Sequence, residues 1–422
     1  MSSRKKIAII TPFLANGGLE KVAITGAEEL DKDYDVTLIV MDSYQIDYPY
    51  SGNMIDLNVS LIDRGIFKRL YNIASSTLKL RKLKKEHNFD LVISHGELAN
   101  LPNVFSGGEN NILVVHENRF AALKDMQGKI VNRIIKYIYS VKSVSKIVTV
   151  SEGIRESFIE KLGIKENKLV AIHNPYEIDK IKELSMKNVE PFDSLFSHKI
   201  LMSAGRLTMA KGQWYLLRIF KVLQKSDPNL KLVILGDGEM KEKLIKLSQN
   251  LELKTYTVWS EKEYNDDYDI YFLGFQKNPF KFIKQAKLFA MTSIWEGFGG
   301  TLVESMACGT PVISTSCKSG PGEIICPEQE KGRVINEPIY NGYGVLMPVF
   351  KNKFVSADES LDEKELLWVE TLQNLLKDDK KLLDYSKIGL IRAEDFRLRS
   401  IMAEWKSLIN STFELEQKNH KC

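Results

Sequence analysis

The fold turns on the stretch LFAMTSIWEGFGGTLVESMACGTPVIST, residues 288–315. It opens on an apolar run, Leu288–Thr292, and closes on another, Val312–Thr315. Between them lies a loop with Gly297, Gly299 and Gly300, followed by a helical pattern that Thr301 opens. Strand, glycine loop, helix and strand make one βαβ unit, whose strands run parallel. Near-continuous apolar runs of this kind belong to strands covered on both faces. A glycine-rich loop leading into a helix N-terminus can cradle an anion, because its N–H groups and the helix dipole both favour negative charge. Glu304 follows Thr301 at a capping-box spacing. Glu296 stands at the start of the loop, where a carboxylate can accept hydrogen bonds from a polyhydroxyl ligand.

The same alternation extends along the chain. Upstream in the second half the expected strands are Ile200–Ala204, Leu232–Leu235 and Ile270–Leu273. In the first half they are Lys6–Thr11, Val36–Met41, Leu91–Ser94, Ile112–His116, Ile147–Val150 and Leu169–Ile172. The pattern restarts near residue 198, after the weakly periodic Asn188–His198 with its Pro191, which reads as a linker. This predicts two doubly wound α/β domains, 1–187 and 198–390, and a C-terminal helix and tail over 391–422. Phe396, Ile401, Trp405 and Leu408 give that helix its apolar positions.

A chain of 422 residues, 44% hydrophobic and 27% charged, suits two soluble domains. A net charge of +4 offers no global field for nucleic acid. Cys308, Cys317, Cys326 and Cys422 form no CxxC pair and fit no zinc spacing. Scattered cysteines point to a reducing, cytoplasmic setting. The apolar Ile7–Ile10 is too short for a signal-peptide core, and no run of about 18 apolar residues could span a membrane. Asp-x-Asp at Asp31/Asp33, Asp33/Asp35 and Asp267/Asp269 lies in acidic, turn-like stretches and reads as solvated surface, so no metal site is expected.

Two further strand ends carry candidate residues. TPFLANGGLEKVA, residues 11–23, puts Gly17 and Gly18 at a strand-to-helix turn. SAGRLTMAKGQWYLL, residues 203–217, puts Arg206 and Lys211 beyond the carboxyl end of a strand, where open α/β sheets bind ligands. A guanidinium fork and an ammonium there suit a diphosphate; two solvated cations are the plainer alternative.

EGFGGTLVES, a glutamate, seven residues and a second glutamate, resembles the EX7E motif of retaining GT-B glycosyltransferases of family four. MACGTPVIST, the diglycine near residue 17, AGRL with its following lysine, GDG at 236–238 and FLG at 272–274 occur in that family's order. The resemblance implies two Rossmann-like domains facing a cleft, the C-terminal helix crossing back to the first, and a hexosyltransferase activity. It implies that Glu296 contacts the donor sugar, Glu304 the ribose, and Arg206 and Lys211 the diphosphate. The surrounding loop, Gly297, Phe298, Gly299, Gly300, Thr301 and Leu302, would line the donor site. Gly17 and Gly18 would offer backbone to the phosphates, Phe275 would meet the base, and His116 would be the active-site histidine, with His95 as its rival. ISTSCKSGPGEII, residues 313–325, is similar to a subgroup that builds bacterial glycans from UDP-sugars on lipid-linked acceptors. No cofactor or metal is implied. Alternatives are a UDP-sugar 2-epimerase of the same fold or a soluble sugar synthase.

Residues 64–87 carry Arg64, Lys68, Arg69, Lys79, Arg81, Lys82, Lys84 and Lys85, interleaved with apolar residues. A second basic stretch, Lys129–Lys146, has Arg133 and Lys136 beside Ile134 and Tyr137. Basic amphipathic helices can lie on an anionic membrane. Peripheral attachment to the inner face of the cell membrane, or a grip on an acceptor's pyrophosphate, is expected from these residues; a solvated helix face is the alternative.

Overall fold

A computed structural model describes residues 4–15, 17–61, 65–118, 125–328 and 334–419. Arg64 and Cys422 of the sequence reading lie outside the described residues, as does the side chain of Lys129. The chain divides into two units, one of residues 1–175 with 398–422, the other Tyr176–Arg397.

Unit 1 runs β1 (Lys6–Thr11), α1 (Gly18–Leu30), β2 (Asp35–Val40), β3 (Asn53–Asp56), α2 (Ile66–His87), β4 (Leu91–His95), α3 (Glu97–Phe105), β5 (Asn111–Val115), α4 (Asp125–Ser140), β6 (Val144–Thr149), α5 (Glu152–Leu162) and β7 (Leu169–Ala171). Unit 2 runs α6 (Ile178–Ser185), β8 (Lys199–Ala204), α7 (Gln213–Ser226), β9 (Leu230–Leu235), α8 (Lys241–Asn250), β10 (Thr255–Thr257), β11 (Ile270–Phe272), α9 (Phe280–Ile283), β12 (Leu288–Met291), α10 (Gly300–Ala307), β13 (Val312–Thr315), α11 (Pro321–Ile325), β14 (Ile339–Asn341), β15 (Gly344–Met347), α12 (Glu363–Leu375) and α13 (Asp379–Glu394). The last helix, α14 (Leu398–Asn419), returns to unit 1. There Lys406 pairs with Asp33 at 2.6 Å and Tyr34 donates to Asn410 at 3.0 Å.

The first sheet has the order β3-β2-β1-β4-β5-β6-β7, and each neighbouring pair is parallel. The second has the order β10-β11-β9-β8-β12-β13-β15-β14, parallel except for β14 on its edge. In each, the chain starts near the middle, winds outward one way and then the other. Connections from the two central strands therefore leave in opposite directions, opening a crevice at their carboxyl ends. These switch points fall between β1 and β4 in unit 1 and between β8 and β12 in unit 2.

The strands are apolar because helices cover both faces. Ile7, Ala8, Ile10, Leu38, Ile112, Leu113 and Ile147 are fully buried in unit 1. In unit 2, Trp214, Tyr215, Phe350 and Trp368 pack under α7 and α12, with Tyr215 stacked on Phe350 at 4.2 Å. Arg218 and Glu365 form a fully buried ion pair at 2.6 Å. The guanidinium also donates to the carbonyls of Ser356, Glu359 and Ser360. Removing one partner of such a pair strands a buried charge, at a cost of about 3–5 kcal/mol.

Three expectations need correction. The linker predicted over 188–198 belongs to unit 2: Val189, Phe192 and Leu195 are buried, and the crossing between units comes earlier, after Pro175. Asp269 is not solvated surface. It is 8% exposed and accepts from the Lys254 N–H at 2.8 Å and from Gln224 Nε2 at 3.1 Å, tying β11 to its neighbours. The segment 391–422 is no separate piece, since α13 runs through Glu394 within unit 2 and α14 packs in unit 1.

Candidate functional site

In unit 2 the residues singled out from sequence gather at the β8/β12 switch point. A short turn, Met209–Lys211, follows β8 and ends on Gly212 in the left-handed region, φ +60°. A Cβ on Gly212 would lie 2.4 Å from the Thr292 carbonyl, so only glycine lets the two loops approach this closely. Across that approach the Ile294 N–H donates to Ala210 O at 2.7 Å, and Thr292 Oγ1 donates to Lys211 O at 3.2 Å. Lys211 Nζ thereby meets Glu296 Oε1 at 2.5 Å, with both side chains largely withdrawn from solvent. Ser293 Oγ donates to the same carboxylate oxygen at 2.6 Å.

The far side of the loop is held equally. Thr315 Oγ1 donates to Ser293 O at 2.5 Å, the Glu296 N–H to Lys318 O at 3.2 Å, and the Ser319 N–H to Glu296 O at 3.1 Å. Gly320, φ +99°, lets the backbone pass Phe298, whose carbonyl would lie 2.0 Å from an added Cβ. Glu296 is therefore fixed between the loops after β8 and β13.

Arg206 is exposed, and its carbonyl accepts from Gln213 Nε2 at 3.1 Å. Phe275 is half exposed after Gly274, which takes a positive φ of 67° and faces Val258 and Trp259. Lys241 Nζ lies 4.7 Å from the centre of a Trp259 ring that keeps 37% of its surface open.

Helix α10 does not begin as its spacing predicts. Its N-cap is Gly299, φ +89°, with no side-chain cap, and Thr301 Oγ1 donates to Met291 Sδ at 3.6 Å. Thr301 and Glu304 thus form no capping box, because the helix starts at Gly300 and puts Thr301 inside the first turn. Glu304 is half-buried one turn further on. Phe298 and Leu302 are buried, Phe298 edge-on to Phe396 at 5.4 Å. Their side chains support the loop, so only their backbone could meet a ligand.

At the β1/β4 switch point of unit 1, Gly17 caps α1 and Gly18 begins it. A Cβ on Gly17 would lie 2.0 Å from the Glu20 carboxylate, whereas one on Gly18 would meet nothing within 4 Å. The helix end expected to attract an anion already has the chain's own first-turn acid beside it. The two rival histidines are partners: His95 Nδ1 and His116 Nε2 lie 3.0 Å apart, and Trp405 tilts over His95 with ring centres 6.5 Å apart. Burial pushes the His116 pKa down to about 3, and burial with the His116 neighbour holds His95 well below the ordinary range. Both rings are neutral at pH 7. A cavity of about 320 Å³ lies at the amino ends of β1 to β3, lined by Lys6, Asp35, Thr37, Asn53, His87 and Phe89 among others. It brings together none of the expected residues.

The basic stretch is a helix, α2, but its cations divide. Lys84 Nζ donates to Asn103 O, Gly107 O and Asn111 Oδ1, and burial lowers its pKa to about 7. Arg81 donates to the carbonyls of Phe105 and Ser106, and Lys79 to those of Leu57 and Asn58. These three side chains thus donate to oxygen acceptors within unit 1, although Lys79 and Arg81 are also exposed. Lys68, Arg69, Lys82 and Lys85 are exposed, Lys82 pairing with Glu86 at 3.6 Å. Sequence reasoning passed over Ser293, although its S-x-x-E spacing to Glu296 was visible. Of the apolar residues interleaved with these cations, Phe67, Leu70 and Leu78 are exposed along one face of α2, together with Tyr71, which sequence reasoning did not single out.

Residues 16–180 match the family profile described as Glycosyltransferase Family 4, and residues 190–341 that of Glycosyl transferases group 1. An uncharacterized glycosyltransferase of Methanocaldococcus jannaschii is 36% identical over 359 residues, spanning 81% of this chain and 84% of the relative. The chain belongs to the glycosyltransferases. A 4-alpha-N-acetylgalactosaminyltransferase of Campylobacter jejuni, named for a diphospho-undecaprenol-linked substrate, is 26% identical over 400 residues, 93% of this chain and 96% of that one. Among solved structures, the sucrose-phosphate synthase of Thermosynechococcus elongatus matches with a TM-score of 0.73 and 16% identity, over 98% of this chain and 100% of that one. Anabaena HepE, in complex with UDP and glucose, matches with a TM-score of 0.70 and 15% identity, over 96% and 100%. At that identity the structural likeness speaks for the fold: this glycosyltransferase is a GT-B protein with two Rossmann-like sheets. Among its described residues no helix is long and apolar enough to cross a membrane, and no group of His, Cys, Asp or Glu is placed to hold a metal ion.

Proposed function

We propose that this glycosyltransferase moves a hexose or N-acetylhexosamine from a UDP-linked donor, with retention, to a lipid-linked glycan acceptor in bacterial polysaccharide or glycan biosynthesis. The observation that carries the donor assignment is the Lys211–Glu296 contact at a switch point, a cation for a diphosphate beside a carboxylate for a sugar. Arg206 and Lys211 hold the diphosphate, with the α10 N-terminus adding its dipole. Glu296 accepts from sugar hydroxyls, Glu304 from the ribose, and the backbone near Phe275 meets the base. In unit 1, Gly17 and Gly18 offer backbone to the phosphates, and His116 is the active-site histidine.

Transfer breaks the bond from the anomeric carbon to the diphosphate oxygen, which keeps the electron pair. The acceptor hydroxyl oxygen bonds to that carbon from the same face and gives its proton to the departing oxygen. The chain contributes position and charge: two cations stabilise the developing diphosphate charge and neutralise it without a metal, so transfer is expected to continue in excess chelator. Support for the acceptor class comes from the Campylobacter relative and from a lipopolysaccharide 1,6-galactosyltransferase of Escherichia coli, 26% identical over 223 residues. The named curated relatives are transferases, and none of them favours the epimerase alternative.

Attachment to the inner face of the cell membrane is supported by α2. Phe67, Leu70, Tyr71 and Leu78 are 60–89% exposed, with Lys68, Arg69, Lys82 and Lys85 on the same helix. Apolar side chains that sink and cations that each add about 1 kcal/mol near anionic lipid form an interfacial helix.

The deciding experiment is thermal unfolding with UDP, GDP, ADP and their sugar conjugates, since a ligand of the folded state raises its melting temperature. UDP and one UDP-sugar should stabilise the protein, and Glu304→Ala should abolish most transfer from that sugar without changing the ligand-free melt. Near-wild-type turnover in Glu304→Ala would overturn the donor-site assignment.

A further inference from the structure

Glu296 Oε1 already takes two hydrogen bonds, from Lys211 Nζ at 2.5 Å and Ser293 Oγ at 2.6 Å, while Oε2 receives no donor among the described residues. The carboxylate thus does two things at once. One oxygen is committed to the lysine, and the other is left for a ligand hydroxyl. Lys211 has three N–H donors and spends one on Glu296, so it can still reach a phosphate oxygen. Any anion it binds must nevertheless sit close to a second negative charge. With the two side chains 19% and 9% exposed, solvent screens that repulsion weakly.

We propose that Glu296 is a counter-charge that weakens the hold of Lys211 on the spent nucleoside diphosphate and so speeds its release, and that Ser293 is a positioning residue keeping the carboxylate on the lysine. This rests on the donor-site reading above. An intact donor offsets the repulsion by giving Oε2 a sugar hydroxyl to accept from. Once the sugar has moved, that contact is lost, the diphosphate carries one more ionisable oxygen, and the repulsion acts alone. The lysine then falls back to the carboxylate.

The test is titration of UDP into wild type, Glu296→Gln and Ser293→Ala, each also melted without ligand, followed by steady-state transfer with product inhibition by UDP. Glutamine keeps the shape and removes the charge. The UDP Kd should fall roughly tenfold in Glu296→Gln, with stronger product inhibition and lower kcat. In Ser293→Ala the Kd should fall about two- to threefold, and kcat should drop with little change in donor KM. Damage to the fold would weaken UDP binding, so tightening is a signature that a purely structural role does not produce. Equal or weaker UDP binding in a Glu296→Gln protein that melts like wild type overturns the counter-charge and leaves the donor site standing. Failure of wild type to bind UDP, GDP or ADP overturns the donor site and the counter-charge together. Should Glu296→Gln melt early, Ser293→Ala decides: tighter binding supports the proposal, and equal or weaker binding overturns it.

Discussion

The two sheets differ in strand order, yet each leaves a crevice where the chain reverses direction, and the two crevices are furnished with different chemistry. At β8/β12 the loops bring a lysine and a glutamate to 2.5 Å, with a serine donating to the carboxylate. At β1/β4 and the neighbouring β5 end, two imidazoles meet at 3.0 Å, and burial keeps both uncharged. Topology supplies a place where strand ends are exposed and loops diverge; it does not supply charge. Charge depends on what the loops deliver and on how much water they admit. The paired crevice suits a polyanion with a sugar attached. The histidine pair offers a donor and an acceptor to hydroxyl groups without adding charge of its own.

The sharpest way to break this contrast is to remove the cation. Lys211→Ala should lower transfer by about 10²–10³-fold, the scale of losing one charge-stabilising group in a largely dry site, measured as kcat/KM for the donor. A loss below threefold would mean that charge is not what distinguishes the crevices. Next comes acid. Both histidines have folded pKa values below their unfolded value of 6.5, so the unfolded chain binds more protons as pH falls. Their contribution to stability is therefore present above about pH 6.5 and is lost as pH drops toward about 3. The melting temperature should decline over that window, and His116→Gln should flatten the decline. An unchanged slope would remove the neutral pair from the account.

The division among the α2 cations gives a third, smaller effect. Arg69, Lys82 and Lys85 changed together to Glu should weaken binding to anionic vesicles at least tenfold in flotation. Lys84→Met should leave flotation alone and cost about 1–3 kcal/mol in denaturant unfolding, because three acceptors lose their donor. Vesicle binding indifferent to the triple change would sink the interfacial role of α2. Smallest is Thr301→Val: with no capping box to lose, stability should stay within about 0.5 kcal/mol.

What could be read from the amino-acid order follows the same physics. Strands covered on both faces announce themselves as apolar runs, and β1 and β13 match their expected limits to the residue. Several short strands were silent, although the edge strand β7 was expected over Leu169–Ile172. β3 is a polar, largely exposed NMID, β10 a three-residue TYT, and β14 and β15 a short hairpin closing on Gly344. None is long enough to show a period. The placement of Arg206, Lys211 and Glu296 in loops after the central strands β8 and β12 was legible from the apolar runs before them, whereas Glu304 falls inside α10. The partnership of Lys211 with Glu296 was not legible, since 85 residues separate them and only the β8/β12 adjacency joins their loops. Nor could the sequence separate Lys84, half-buried against three carbonyl-type acceptors, from Lys85, exposed one position on. Both are lysines on one helix, and only the fold of α3 and its following loop tells them apart.

The chain leaves unit 1 after Pro175 and re-enters it at Leu398, and the residues beside those crossings run together, with the Tyr176 N–H donating to Phe396 O at 2.9 Å and Tyr176 bridged to Arg397. Unit 2 is in that sense a cassette spliced into unit 1, with its entry and exit tied by main-chain hydrogen bonding. Residues 176–397 can be lifted out as one uninterrupted segment whose ends already meet, and the cut ends of unit 1 can be rejoined by a short loop. Exchanging cassettes between relatives would then change what one unit recognises while the other keeps its own chain, which makes this pair of crossings the natural seam for building chimeras.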